Sequence, residues 1–197
     1  MIVFFMIPML FKSYEPITIT IVTVAITTII TLLLIDGPNK KTLSAILGTV
    51  IGVIIAGIIS YIASNITHIS GLTSNEAEGL IYIAEHRNVK IKGLTFSAIL
   101  VAALGAIMDV AMSIASSIFE INKTNPEISS SELLKSGLNI GKDIMGTMSN
   151  TLILAFTGSS LNMILFIIAY GMPYRQIVNL DFLIAEVIQG ISGSIGI

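Results

Sequence analysis

The strongest constraint on this chain's fold is Leu94–Ile118, a run of 25 residues in which Asp109 is the only ionisable side chain. About 20 apolar residues suffice to carry a helix across the hydrocarbon core, where no water is present and every backbone N–H must bond within its own segment. An acid at that depth costs about 2.5 to 3.5 kcal/mol on insertion scales, so Asp109 is the first candidate for an ion path, a proton relay or a polar junction between helices. Three further stretches, Ile17–Ile35, Ser44–Ile66 and Ser149–Tyr170, have spanning length. Residues 2–11 and 181–197 are shorter apolar pieces. With 54% hydrophobic and 11% charged residues and a mean hydropathy of +0.93, the sequence departs far from soluble composition. The expected fold is all-α: one polytopic transmembrane helix bundle with two interfacial amphipathic segments, embedded in the lipid bilayer.

The polar links supply the punctuation. Asp36-Gly37-Pro38-Asn39, followed by Lys40-Lys41, reads as a tight hairpin between the first two spans. Thr67–Lys92 is polar, and Thr73 with Glu76 forms a candidate capping box before a short helix carrying Leu80, Ile81 and Ala84. Phe119–Gly146 is the second polar stretch. Pro126 breaks it, and Ser129 with Glu132 predicts the start of a short amphipathic helix over Ser130–Leu138. The N-terminal MIVFFMIPMLFK lacks a basic region before its apolar run and an A-x-A site after it, so a partial membrane segment is expected rather than a cleaved signal. Both ends read as cut, which implies more chain or a partner. Counting Lys and Arg on alternate sides gives Lys40, Lys41, Lys123, Lys135 and Lys142 against Lys12, Arg87, Lys90, Lys92 and Arg175, a tie that leaves orientation open.

Several function classes fall away on composition. A net charge of -2 with scattered basic residues implies no nucleic-acid partner. Without cysteine there is no thiolate site or disulfide, and His68 and His86, 18 residues apart in one polar loop, do not suggest a metal cage. No cofactor is implied. An aspartyl-protease reading fails as well: Asp143 sits beside Lys142 at the expected interface, and GAIMD lacks the Gly-x-Gly-Asp pattern. The chain is not expected to be an enzyme.

What remains are stripes. Ala98, Ala102, Gly105, Asp109, Ser113, Ser116 and Glu120 recur at steps of three or four and share one helical face. Asp143, Thr147, Asn150, Thr151, Leu154 and Gly158 form a second face. If the two meet, Asn150 or Thr151 hydrogen-bonds Asp109. The set Asp109, Asn150, Thr151, Ser113 and Thr147 then serves as a proton or ion relay, or as a quiet polar clasp worth about 0.6 to 2 kcal/mol per bond. Thr20, Thr23, Thr27 and Thr31 line one face of the first full span, where hydroxyls bond back to carbonyls one turn earlier. Ser44, Gly48, Gly52, Ala56, Ser60 and Ser64 make a small-residue ridge at unbroken steps of four. With Gly105 it is expected to pack helices, inside the chain or against a second copy or partner subunit. Glu186, with Gly190 and Gly193 one and two turns on, either snorkels to water or joins the buried relay.

Between Gly105 and Leu161, the residues GAIMDVAMSIASSIFEI and NPEISSSELLKSGLNIGKDIMGTMSNTLILAFTGSSL resemble the signature of the YibE/F-like family of bacterial membrane proteins. The hairpin DGPNKKTLSAILGT and the ending EVIQGISGSIGI are also similar to that family's pattern. Lys142 stands where an arginine is common, keeping the charge and losing the fork geometry. The resemblance implies a multi-pass inner-membrane protein and supplies no mechanism. A looser likeness, at the level of fold, is to the RND transporters and the SecD/SecF export subunits, where an intramembrane acid takes part in proton coupling. That likeness implies that Phe119–Gly146 is cytoplasmic and Thr67–Lys92 extracytoplasmic.

Overall fold

The computed structural model describes residues 2–12, 14–67 and 93–197. Helix α1, Ile2–Phe11, begins with a π-helical turn and is followed by α2, Pro16–Asp36. Pro16 opens α2 at a position whose N–H would have no helical partner. Along the helix Thr20, Thr23 and Thr28 are fully buried, and their hydroxyls donate to the carbonyls of Pro16, Ile19 and Val24 at 2.8, 2.7 and 2.9 Å. The back-bonding lets a threonine-rich helix face an apolar core without an open polar atom at these positions, whereas Thr27, on the face expected to back-bond, leaves its buried hydroxyl without a partner. At the hairpin Gly37 takes φ 72°, a left-handed conformation that glycine adopts at no steric cost. Asn39 then accepts the Thr42 N–H at 2.9 Å and starts α3, Lys40–Thr67, with Lys41 paired to Asp36 across the turn.

Helix α4, Leu94–Thr124, is the centre of the fold and packs against α2, α3, α5 (Ser130–Ser159) and α8 (Asp181–Gly196). The core is Val24, Val53, Ala56, Phe96, Leu100, Ala103, Leu104 and Ile107, with Ala56 and Ala103 wholly buried. The small-residue ridge of α3 packs inside the chain. A Cβ at Gly52 would lie 2.6 Å from the Gly196 carbonyl oxygen and 2.7 Å from Ile107, while one at Gly48 would meet Ala111 at 3.5 Å. Because lipid tails are as apolar as leucine, close backbone approach of this kind is what holds membrane helices together. Helix α8, Asp181–Gly196, answers with its own small residues: Gly196 lies against Ala56 and Ile107, and Gly193 against Leu152 and Ala103.

Helix α5 runs unbroken over Ser130–Ser159, so the expected short amphipathic helix and the fourth span share one rod. Nothing between Ser130 and Ser159 interrupts the helix, and the Ser129–Glu132 capping box forms as the spacing predicts. The break comes later, at Ser160, where α6, Leu161–Ala169, bends away by 52°. A glycine and two serines in succession, Gly158-Ser159-Ser160, weaken the helix there, and the Ser159 and Ser160 hydroxyls both donate to the Phe156 carbonyl, at 2.7 and 3.0 Å. A single turn, α7, Tyr174–Ile177, leads into α8.

The fold is all-α, with no strand among the described residues. Among the described residues three helices, α2, α3 and α4, are long and apolar enough to cross a membrane, and the bent pair α5–α6 makes a fourth if counted as one span. The other amphipathic segment, the Thr73–Glu76 box, His68 and His86 lie outside the described residues.

Candidate functional site

The most developed polar site lies where α8 crosses the α5–α6 break. Glu186, one turn into α8, is partly buried and, among the described residues, is the only charged side chain lining a cleft of about 420 Å³ between the two elements. Phe156, Ile164 and Ile191 supply apolar wall, and Gly190, whose missing side chain would face Phe156 at 3.8 Å, leaves room between the helices. The Ser160 hydroxyl stands beside the Glu186 carboxyl, but it donates to the Phe156 carbonyl. One carboxyl oxygen, Oε2, is buried and without a hydrogen-bond partner, and so is Oγ of Ser194, which lines the same cleft. An unmade hydrogen bond at a buried polar atom costs about 1 to 3 kcal/mol and more for a charged group; the hydroxyls of Thr27, Ser60, Ser64 and Ser192 are also buried without a partner, and this cleft differs in pairing such a hydroxyl with a carboxyl oxygen.

Asp109 is placed differently from the expectation. It is exposed on the outside of α4, as is Gly105, which has nothing within 4 Å of where its Cβ would be. The register explains why. Ile114 and Ile118 of α4 meet Gly141 and Gly137 of α5. Five residues at about 100° each put Asp109 about 140° around the helix from Ile114. On α5, Asn150 stands nine residues from Gly141, about half a turn away from that contact. The two stripes therefore turn outward and do not meet, and no hydrogen bond links Asp109 to Asn150 or Thr151 among the described residues. The relay expected between them does not assemble within one chain.

The remaining candidates follow the same division. Asn150, Thr147 and Thr151 are exposed, with Thr147 donating weakly to Asp143 (3.5 Å) and Thr151 to Thr147 (3.0 Å). Ser113 is partly buried, and its carbonyl accepts the Ser117 hydroxyl at 2.8 Å. Lys142 and Asp143 lie on exposed turns of α5. Gly52 and Ala56 are buried between helices, Gly48 is exposed beside Ala111, and Gly105 faces outward. At the start of α5, Glu132 accepts from the Ser129 hydroxyl at 2.8 Å and the Ser129 N–H at 3.2 Å, and these bonds hold its carboxyl below the ordinary glutamate range. No group of three or more metal-ligating side chains occurs among the described residues.

Two members of the cleft, Ser160 and Ser194, went unread in the sequence. Their signals were present: a Gly-Ser-Ser run inside an apolar stretch marks a kink, and Ser194 follows Glu186 by eight residues, a spacing that returns to the same side of a helix.

No curated protein and no solved structure matches the chain, and the looser likeness to RND and SecD/SecF proteins finds no support. The family model described as YibE/F-like protein matches residues 1–197, its whole length, and with apolar helices that mark a multi-pass membrane protein the chain belongs to the YibE/F-like family.

Proposed function

We propose that this protein is a transporter-type component of the inner membrane, with no enzymatic chemistry of its own, in which Glu186 exchanges a proton against a bound solute. The observation that carries the reading is the buried, unpartnered Oε2 of Glu186 at the α5–α6 break. An acid inside an apolar cleft holds its proton when the cleft is empty and releases it when a positive charge or a set of donors arrives, which is the exchange a coupled carrier needs. A bent helix beside that acid is also a natural moving part, because α5 and α6 already meet at 52° across the Ser160 break instead of forming one continuous rod.

The test is solute-dependent proton flux in proteoliposomes loaded with a pH-sensitive dye and offered a panel of protonated and neutral solutes. Wild-type protein supports flux with at least one solute, Glu186→Gln abolishes it, and Asp109→Asn retains it. Flux that survives Glu186→Gln overturns the assignment, and wild-type protein inactive with every solute overturns the transport reading.

A second reading rests on the outward face of α4. A carboxylate midway along an apolar helix, exposed in the single chain, favours a subunit that buries Asp109 against a partner membrane protein or a second copy of itself. In mild detergent that reading predicts a complex whose mass falls to that of one chain on Asp109→Leu. A wild-type protein that is already monomeric counts against it.

A further inference from the structure

The cleft at the α5–α6 break has more definition than an acid alone. Glu186 and Ser194 stand eight residues apart on α8, about 12 Å along its axis, and both present a buried oxygen without a partner to the same space. Between them the wall is apolar, formed by Phe156, Ile164, Ile191 and their neighbours, with no second charge. A volume of about 420 Å³ falls within the range of about 300 to 1,000 Å³ typical of small-molecule sites. The arrangement is therefore acidic at one end, hydroxylic at the other and greasy between.

Each feature excludes a class of occupant. An anion meets only Glu186 as a charge and is repelled. A bare metal cation finds one carboxylate and the three hydroxyls of Thr157, Ser160 and Ser194 among hydrocarbon side chains, too few oxygens for the six to eight that calcium takes or the octahedron that magnesium demands. A lipid acyl chain satisfies the walls and leaves both buried oxygens unpaired. A protonated amine on an elongated apolar body satisfies all three parts: its N–H donors pair with Glu186, its body displaces water from the walls, and an acceptor at its far end takes the Ser194 hydroxyl.

We propose that this cleft binds amphipathic organic ammonium ions, with Glu186 as the charge partner and Ser194 as the distal hydrogen-bonding group. This rests on Glu186 being the exchanging acid of the proposed function, and it adds the class of solute exchanged. The Ser160 hydroxyl, which donates to the Phe156 carbonyl, stands beside the carboxyl and can turn to it when the ammonium draws it into its charged form.

The experiment is equilibrium binding to the purified chain in nanodiscs, which requires no transport. Dansylcadaverine, a primary amine on an apolar chain ending in a sulfonamide, is titrated against its N-acetylated neutral counterpart, with dansyl emission as the readout. Saturable binding of the amine, weakened at least tenfold by acetylation, is expected. Glu186→Gln lowers affinity for the amine by at least tenfold and leaves the neutral analogue unaffected, Ser194→Ala weakens both about threefold, and Asp109→Asn changes neither. Equal binding of the two probes to wild-type protein overturns the proposal without relying on any variant, since it means an apolar crevice that any lipid fills. Solute-dependent flux with an unbound dansylcadaverine overturns this inference while leaving the transport reading standing. Binding without flux has the opposite effect.

Discussion

Glu186 and Ser194 lie two turns apart on α8, and each directs a buried oxygen without a partner into one cleft beside the α5–α6 break. Unsatisfied polar atoms are rare in folded proteins because each gives up its bonds to water and receives nothing in return. The pair is thus a local cost to folding that the rest of the bundle offsets. Replacing Glu186 with methionine, close in length and apolar, removes the larger part of that cost. Thermal unfolding in detergent should show Glu186→Met as stable as the wild type or more so, by about 1 to 3 kcal/mol. A strongly destabilised Glu186→Met protein would mean that the carboxyl is a structural anchor.

The two classes of glycine separate in a second experiment. Gly52 sits where a Cβ would fall 2.6 Å from the Gly196 carbonyl, so even alanine forces α3 and α8 apart. Gly52→Ala should destabilise by about 1 to 3 kcal/mol, as overpacking usually does. Gly105 has open space around it, and Gly105→Ala should be neutral or stabilising by about 0.5 to 1 kcal/mol, since a helix interior prefers alanine. Thermal midpoints of the two single variants decide the matter, and equal losses would contradict the packing described for α3.

At the start of α5 a pH effect follows from the capping box. Hydrogen bonds from the Ser129 hydroxyl and N–H favour the ionised form of Glu132, so its folded pKa lies below its unfolded value. The stabilisation is present above the unfolded pKa and is lost as pH falls through the lowered folded value. The first turn of α5 should loosen only in acid. In nuclear magnetic resonance, the side-chain carboxyl carbon of Glu132 should titrate at a pH below that of an unstructured glutamate, and Ser129→Ala should move the midpoint upward. An unmoved midpoint would show that the box does not set it.

How much of this was legible beforehand divides along physical lines. The all-helical fold, the Ser129–Glu132 cap and the packing role of the Gly48-Gly52-Ala56 ridge could be read because they depend on local pattern: apolar length, a three-residue cap spacing, and small residues on one face. The break at Ser160 carried a weaker local signal, since Gly158-Ser159-Ser160 competes with a long run of good helix formers. The direction of the Asp109 stripe was not legible at all. Periodicity shows which residues share a face of α4, whereas the neighbour that face meets depends on where α3, α5 and α8 dock, which is decided by the contacts of Ile107, Ile114 and Ile118 across the bundle.

The outward turn of that stripe gives a sharp test, because the chain has no cysteine of its own. Asp109→Cys combined with Asn150→Cys places two thiols on faces that point away from the α4–α5 contact, too far apart for the Cα separation of about 4.4 to 6.8 Å that a disulfide requires. Oxidation of the double variant should produce no cross-link within one chain. If α4 instead faces a second copy, Asp109→Cys and Asn150→Cys should form disulfide-linked dimers and higher species, because both positions lie within the helices and both are exposed. Tandem mass spectrometry of the oxidised protein distinguishes the cases. A disulfide between positions 109 and 150 in a protein of monomer mass would overturn the outward orientation and restore Asn150 as the neighbour of Asp109. Linked dimers would favour the partner-binding role of α4, and their absence under conditions where both thiols react with maleimide would count against self-association through this face.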